Sequence, residues 1–164
     1  MTNSITKEEL KGILKIFIER SLKKDSLNRA DIQKIYRGLK IKASFGQGNQ
    51  AKTSWMAFLG PDQKPLNGIY PLILSNRKDC IVVAYGVSEL VKPELSWKGS
   101  ELIPLKESEC RCDIKEMKKR YKNSYLKKCI KINSKTLDKT LNAVVKSLDS
   151  VIDEYLKLFS KNGR

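Results

Sequence analysis

The C-terminal part of the chain carries the pattern that most constrains the fold. Apolar residues recur there at the 3.6-residue spacing of a helix for about six turns. They are Leu137, Leu141, Val144, Val145, Leu148, Val151, Ile152, Tyr155 and Phe159. A single apolar stripe of this length predicts an amphipathic helix over 134–160 that packs on another layer of structure. The rest of the chain must supply the surface that this helix covers.

The middle of the chain supplies that surface as a sheet. Residues 39–45 alternate apolar and polar side chains, which is typical of a half-exposed strand. Further strands are predicted, in chain order, at 55–59, 69–74, 80–85 and 125–132. The run Ile81–Ala84 lacks polar alternation, so it predicts a central strand covered on both faces.

The N-terminal segment predicts two helices. Thr6 and Glu9 have the spacing of a capping box, which opens a helix extending to about Lys23. Asn28 is predicted to cap a second short helix, which ends at Gly38. One further helical turn is predicted near 113–120.

These elements predict an α+β fold. The sheet is expected to be mixed but largely antiparallel, flanked by helices, with the long amphipathic helix at the C-terminus. A chain of 164 residues suits one domain over 1–164. Its predicted parts are N-terminal helices at 6–37, a sheet with its loops at 39–132, and the C-terminal helix at 134–160.

The charge balance points to a polyanionic partner. The chain has 33 Lys and Arg against 18 Asp and Glu, a formal charge of +15. Such an excess attracts nucleic acid first and anionic membranes second. No apolar run approaches the roughly 18 residues of a membrane span, and the N-terminus has no signal pattern. The expectation is a cytoplasmic protein with no membrane partner.

The chain contains no histidine, which limits the chemistry it can perform. The usual general base and the histidine-containing zinc site of nucleobase deaminases are both excluded. A base-modifying enzyme would have to rely on a carboxylate such as Asp62 or Asp79. We therefore expect a binding protein without catalytic residues and without a cofactor.

Four cysteines have no metal-binding spacing in the sequence. Cys80, Cys110, Cys112 and Cys129 form no C-x-x-C pair, and the C-x-C at 110–112 is shorter than the usual ligand spacing. A metal site would need all four thiolates. The expectation is reduced, partly buried thiols and no metal.

The segment 44–74 combines glycines, amides and aromatic residues in a basic context. Gly46 and Gly48 allow a loop to approach another backbone closely, while Gln47 and Asn49 can hydrogen-bond base edges. The single G-x-G lacks the third glycine and the following helix of a dinucleotide-binding motif. A simple hairpin connection is the alternative interpretation of this loop.

A set of short motifs, all in one order, resembles a known family. The motifs are SFGQGN (44–49), W-x-A-F-L-G (55–60), N-G-I-Y-P-x-x-L (67–74), V-V-A-Y-G-x-S (82–88), Pro93 with Trp97, and Y-x-x-S-Y (121–125). They resemble the N-terminal recognition domain of McrB-type, modified-cytosine-dependent restriction enzymes. The C-terminal helix also corresponds, whereas 106–117 shows little similarity.

The resemblance implies a specific way of binding DNA. In this family the domain turns a modified cytosine out of duplex DNA and closes a pocket around it. The pocket positions fall on Trp55, Tyr70, Leu74 and Tyr121. The residue that fills the gap left by the base falls on Gln47, within the groove loop Gly46, Gly48 and Asn49. Family members can carry an aromatic residue at the gap-filling position, so Gln47 is a departure.

Phosphate contacts are expected from lysines near these loops, namely Lys42, Lys52, Lys64 and Lys122. The resemblance also implies partners: DNA that contains a modified cytosine, with 5-methylcytosine as the first expectation, a GTP-hydrolysing motor domain in cis, and a separate nuclease subunit. Two alternatives remain open at this point. One is a basic nucleic-acid-binding domain indifferent to modification, and the other is a protein-interaction module whose aromatic loop docks a partner chain.

Overall fold

Eight strands form one sheet in the computed structural model, which describes residues 4–23, 29–30, 34–44, 53–99 and 101–162. The strands are β1 (Arg29–Ala30), β2 (Ile35–Tyr36), β3 (Leu39–Ser44), β4 (Ser54–Leu59), β5 (Ile69–Ser75), β6 (Cys80–Val87), β7 (Ile103–Pro104) and β8 (Tyr125–Lys131). Their order is β1-β3-β4-β5-β6-β8-β7, and β2 pairs with β3. Every pairing between these strands is antiparallel. The predicted α+β class with a largely antiparallel sheet is confirmed.

Three α-helices accompany the sheet within the described ranges: α1 (Lys7–Lys23), α2 (Lys115–Arg120) and α3 (Leu137–Asn162). The predicted capping box opens α1, because Thr6 and Glu9 exchange backbone-to-side-chain hydrogen bonds of 3.1 Å in both directions. The C-terminal stripe forms α3 as predicted, after a short 3₁₀ turn at Ser134–Thr136. No helix in these ranges is long and apolar enough to span a membrane.

The predicted second helix is wrong. The described residues between α1 and β3 form the short strands β1 and β2 instead. Arg37 and Gly38 both have positive φ, 51° and 83°, and join the cross-strand partners Tyr36 and Leu39. Positive φ at both central positions is the geometry of a two-residue hairpin, so Gly38 serves a turn and not a helix end. Arg37 is held by a 2.6 Å bond from its guanidinium to Asp153 on α3.

The central strands are covered on both faces. Every residue of β5 is buried, and so is β6 from Cys80 to Gly86, as the unalternating apolar run predicted. On one face lies α3, where Tyr155 is fully buried and its hydroxyl donates to the Ile69 carbonyl at 2.7 Å. The same hydroxyl accepts from the Gly60 amide at 3.0 Å. These two hydrogen bonds fix α3 against the first residue of β5 and against the loop after β4.

The opposite face, here called the loop face, carries the site. Tyr85 bonds Glu154 of α3 at 2.6 Å, so Tyr85 and its partner Pro71 face the helix. Because side chains alternate along a strand, Tyr70 lies on the other side. The loop face therefore also includes the cross-strand pair Trp55 and Leu74, and the pair Ala57 and Leu72.

Candidate functional site

A cavity of about 170 Å³ opens on the loop face, and three aromatic residues border it. They are Trp55 from β4, Tyr70 from β5 and Tyr121 from the turn after α2. For scale, an engineered protein cavity of roughly 150 Å³ accommodates one benzene molecule. The site is therefore large enough for a single aromatic ring and is walled by groups that can stack on it.

Leu74, the fourth predicted pocket residue, occupies a different place. Its side chain is fully buried opposite Trp55, and the cavity is bordered by Leu72 two residues earlier on the same face. Leu74 thus belongs to the core beneath the aromatic wall. The apolar contact that the sequence assigned to Leu74 is available from Leu72.

Tyr70 is held at both ends of its side chain. Its hydroxyl donates to the Pro65 carbonyl at 2.8 Å. Its ring lies over the backbone of Gly86, where an added Cβ would come within 2.8 Å of the ring carbon Cδ1. Burial raises the pKa of the Tyr70 hydroxyl, so the ring is neutral at physiological pH. Tyr70 is a fixed wall of the cavity.

Tyr121 is positioned by the backbone of α2. Its amide donates to the Met117 carbonyl at 2.8 Å, and its carbonyl accepts from the Ser124 amide at 3.1 Å. Burial raises the pKa of its hydroxyl to about 12, against the opposing effect of the Arg120 guanidinium. The residue therefore presents an uncharged phenol to the cavity.

Hydrogen bonds tie together the loops that form the rim. The Gly68 amide donates to the Ser88 hydroxyl at 3.1 Å, and the Ser88 amide donates back to the Gly68 carbonyl at 3.0 Å. The Ser88 hydroxyl in turn donates to the Val91 carbonyl at 2.6 Å. The Asn123 amide donates to the Glu89 carboxylate at 2.9 Å, which links the turn before β8 to the same loop.

Two leucines on this rim are unusually exposed. Leu66 is 64% exposed and Leu90 is 78% exposed, the highest values among the large apolar residues that the structure describes. Both border the cavity, one on each of the two tied loops. Apolar side chains left in water beside a cavity are typical of a surface that a ligand covers.

Glu89 is a site residue that sequence reasoning missed. It borders the cavity, and burial raises the pKa of its carboxyl while the Asn123 amide and the charges of Lys122 and Lys106 lower it. A carboxylate at this position can accept a hydrogen bond from an exocyclic amine, the group that cytosine presents. The only signal in the sequence was its place directly after the V-V-A-Y-G-x-S motif.

Three of the predicted phosphate-binding lysines are exposed on the loop face or next to residues that border the cavity. Lys42 is exposed on the loop face, since its cross-strand partner is Ala57. Lys64 is exposed beside Pro65 of the rim, and Lys122 is exposed beside Tyr121. Lys40 is also exposed on this face, opposite Leu59, and was not predicted. Lys52, Gln47, Gly46, Gly48 and Asn49 lie outside the described residues.

A larger cavity of about 500 Å³ adjoins the first and shares Val87 and Glu89 with it. Lys92, Lys106 and Lys122 border it. Basic side chains therefore border both cavities, with Arg120 at the first and the three lysines at the second, which suits an extended anion better than a small one.

The four cysteines lie away from this site. None of the four borders either cavity, and Cys80 is the first residue of β6, whereas Val87, the last residue of that strand, borders both cavities. All four sulfur atoms lie within 4.8 Å of one another. Their spacing in the sequence did not predict that they meet, because two of the cysteines lie on different strands and the other two on the loop before α2.

No protein-family model matches the chain. The chain is 34% identical over 155 residues to the "Type IV methyl-directed restriction enzyme EcoKMcrB subunit" of Escherichia coli (strain K12). The match covers 93% of this chain but 33% of that subunit, so the chain spans about a third of the length of the relative. The relation confirms the McrB-type resemblance that the ordered motifs indicated.

Proposed function

Because this chain is homologous, along nearly its whole length, to part of a McrB-type restriction subunit, we propose that it recognises modified DNA in a restriction system. The specific ligand we propose is a modified cytosine, 5-methylcytosine first, turned out of a DNA duplex. The observation that carries this proposal is the cavity bordered by Trp55, Tyr70 and Tyr121 on a lysine-rich face.

The energetics of the cavity suit a flipped base. Unstacking and unpairing one nucleotide costs a few kcal/mol, and stacking a base on aromatic rings returns about 1–3 kcal/mol per base. Trp55, Tyr70 and Tyr121 can therefore roughly offset the extraction. Since Tyr70 is already fixed by Pro65 and Gly86, little conformational entropy is lost when the base enters.

Two features of the cavity suit cytosine. The Glu89 carboxylate accepts from the exocyclic amine, which thymine lacks. Leu72, Leu66 and Leu90 offer apolar contacts to a 5-methyl group. Burying one methyl contributes only about 0.8 kcal/mol, near fourfold in affinity, so a larger preference for 5-methylcytosine would arise from cavity shape.

The loop at 45–52 completes the proposed mode of binding. Gln47 would occupy the gap in the duplex and pair with the orphaned guanine, with Asn49 beside it and Lys52 on a phosphate. An amide stacks less well than an aromatic ring, so this chain would bind less tightly than a relative with an aromatic residue there. Gln47→Ala is expected to weaken binding to every duplex.

The relation to a restriction subunit also suggests partners. We propose that the domain directs a GTP-hydrolysing motor domain and a nuclease subunit to modified DNA in the cytoplasm, and that it has no catalysis of its own. The domain would then contribute specificity, while cleavage and GTP hydrolysis would belong to the other parts of the system.

Equilibrium binding to one short duplex tests the proposal. The duplex, at fixed near-physiological salt, would differ at a single cytosine: plain, 5-methyl, 5-hydroxymethyl or N4-methyl, with N6-methyladenine as an outside control. We expect the tightest binding to a 5-modified cytosine. Equal affinity for all duplexes would indicate a modification-independent DNA-binding domain, and no binding would favour a protein-interaction module.

A further inference from the structure

The four cysteines form one cluster in three dimensions. The sulfur atoms of Cys80 and Cys112 are in direct contact, and so are those of Cys110 and Cys129. Contacts also run between these pairs: the Cys80 sulfur lies 3.2 Å from that of Cys129 and 3.8 Å from that of Cys110. The sulfurs of Cys80, Cys110 and Cys129 each have more than one sulfur neighbour in these contacts, although a disulfide requires only one, and the Cys112 sulfur lies within 4.8 Å of all three.

The four sulfurs are close enough together to share one tetrahedrally coordinated metal ion. Zinc bound by four thiolates at about 2.3 Å places neighbouring sulfurs about 3.8 Å apart. All four sulfurs here lie within 4.8 Å of one another. Soft sulfur donors in a tetrahedral set favour zinc over harder, oxygen-binding ions.

Three separate segments meet at the cluster. Cys80 begins β6, Cys129 lies on the neighbouring strand β8 opposite Val82, and Cys110 and Cys112 lie on the loop before α2. Cys80 and Val82 lie on the same face of β6 because they are two residues apart. Both strand cysteines therefore point to the loop face, where the loop carries the other two.

Asn76 also holds these segments together, through hydrogen bonds that do not involve the cysteine sulfurs. Its side-chain oxygen accepts from the Cys80 amide at 3.0 Å. Its side-chain nitrogen donates to the Asp113 carbonyl at 3.2 Å and to the Asp79 carboxylate at 2.9 Å. The turn that begins β6 and the cysteine loop are thus fixed to each other by hydrogen bonds. Such support around the ligands is what orients a metal site.

Burial and charge also suit a structural metal. Cys80 is fully buried and Cys112 nearly so, while Cys110 and Cys129 are partly exposed, so the cluster is closed on one side and reachable on the other. Four thiolates with one zinc carry net negative charge, and the exposed Arg111 and Lys128 directly adjoin ligands in the chain. Cys112 precedes α2 by only a few residues, so a metal here would anchor the helix that positions Tyr121.

We propose that Cys80, Cys110, Cys112 and Cys129 bind one zinc ion as four thiolates. On binding, the four thiols release their protons to solvent and no oxidant is needed. The role of the ion is structural, because four protein ligands leave no open coordination position. It joins the loop before α2 to strands β6 and β8.

The test measures metal and thiols on the whole chain, purified without chelator and with no DNA present. We expect one zinc per chain, and titration with a mercurial reagent should consume four thiols per chain as it releases the metal. Replacement of zinc by cobalt should give the sulfur-to-cobalt charge-transfer bands and visible absorption of a tetrahedral thiolate site. A chelator should lower the melting temperature. These readouts do not depend on whether the chain binds modified cytosine.

Variants separate the ligands from their neighbours. Cys110→Ser and Cys112→Ser should lose the zinc, whereas Arg111→Ala, between them in the sequence, should keep one zinc per chain. If the cysteine variants fail to fold, the cobalt spectrum of the parent chain still decides the question. A parent chain with no zinc and no reactive thiols would contain two disulfides, which would overturn the proposal. Four reactive thiols that persist after zinc is added would overturn it as well.

Discussion

Tyr70 and Gly86 face each other across β5 and β6, and the tyrosine ring occupies the space that a side chain at 86 would need. A Cβ at Gly86 would lie 2.6 Å from the Tyr70 carbonyl oxygen and 2.8 Å from two ring carbons. The glycine of the V-V-A-Y-G motif is therefore required by the aromatic wall of the cavity and not by a turn.

Gly86→Ala should displace the Tyr70 ring and weaken binding to modified DNA by at least tenfold. The new methyl group meets backbone as well as ring, so the tyrosine cannot simply rotate away. The measurement is equilibrium binding, with the fold checked by circular dichroism. Gly12→Ala is the matched control, because an added Cβ there meets nothing within 4 Å. A folded Gly86→Ala protein that binds like the parent would contradict this role of the tyrosine.

Trp55→Ala should also weaken binding to modified DNA by at least tenfold while leaving the chain folded. Trp55 is only partly buried, so its loss removes a stacking surface worth about 1–3 kcal/mol without opening the core. Tyr70 is more deeply buried, so its replacement by alanine would disturb the core. Tyr70→Phe removes only the hydrogen bond to Pro65 and is the less disruptive variant for that position. If the folded Trp55→Ala protein binds modified DNA with unchanged affinity, Trp55 is not part of the base site.

Leu90→Ala and Leu74→Ala should have opposite consequences. Leu90 is 78% exposed on the rim, so its loss should weaken DNA binding with almost no change in stability. Leu74 is fully buried, so its loss should lower the free energy of unfolding by about 2–5 kcal/mol. Ile16→Ala, at an exposed site on α1, is the control for Leu90. Denaturant unfolding and binding titrations on the three variants distinguish rim from core.

Glu89→Gln should change stability in a pH-dependent way. Burial raises the pKa of Glu89 in the folded state, so the folded chain holds its proton more tightly than the unfolded chain does. The resulting contribution to stability is fully present below the unfolded pKa of about 4.3, and it is lost as pH rises through the folded pKa. The difference in melting temperature, Glu89→Gln minus parent, should therefore be more positive at pH 7 than at pH 4.

The same Glu89→Gln variant should bind DNA less well, since it replaces a carboxylate acceptor with an amide. A residue that lowers stability at neutral pH but supports binding is typical of a functional site. A melting-temperature difference that stays constant between pH 4 and pH 7 would argue against the raised pKa.

Lys42→Ala should reduce the salt dependence of DNA binding. A lysine that neutralises one phosphate contributes about one unit to the slope of log K against log salt concentration. Lys42 lies on the loop face, whereas Lys146 is exposed on α3, which covers the other face. Lys146→Ala should leave the slope unchanged. Equal slopes for both variants would place the DNA elsewhere on the protein.

Much of the architecture followed from local patterns. The stripe from Leu137 to Phe159 predicted α3, and the alternation at 39–45 predicted β3, because the side-chain period of each element is visible in consecutive residues. The segment from Asn28 to Tyr36 was predicted as a helix and contains β1 and β2. The helix was predicted from single capping residues, whereas the structure there is set by antiparallel pairing of β1 and β2 with β3.

The sequence by itself determined the α+β class, the amphipathic C-terminal helix and the basic charge, and its resemblance to McrB-type domains singled out Trp55, Tyr70 and Tyr121. Only the tertiary structure decided which of these residues share a cavity. Leu74 lies beneath it, Glu89 lies at its rim, and the four cysteines meet at the far end of β6. The physical reason is that the period of apolar residues in the sequence indicates only which face of its own helix or strand a side chain occupies. A site assembled from β4, β5 and the turn after α2 depends on strand register and loop packing, which no local stretch of sequence contains.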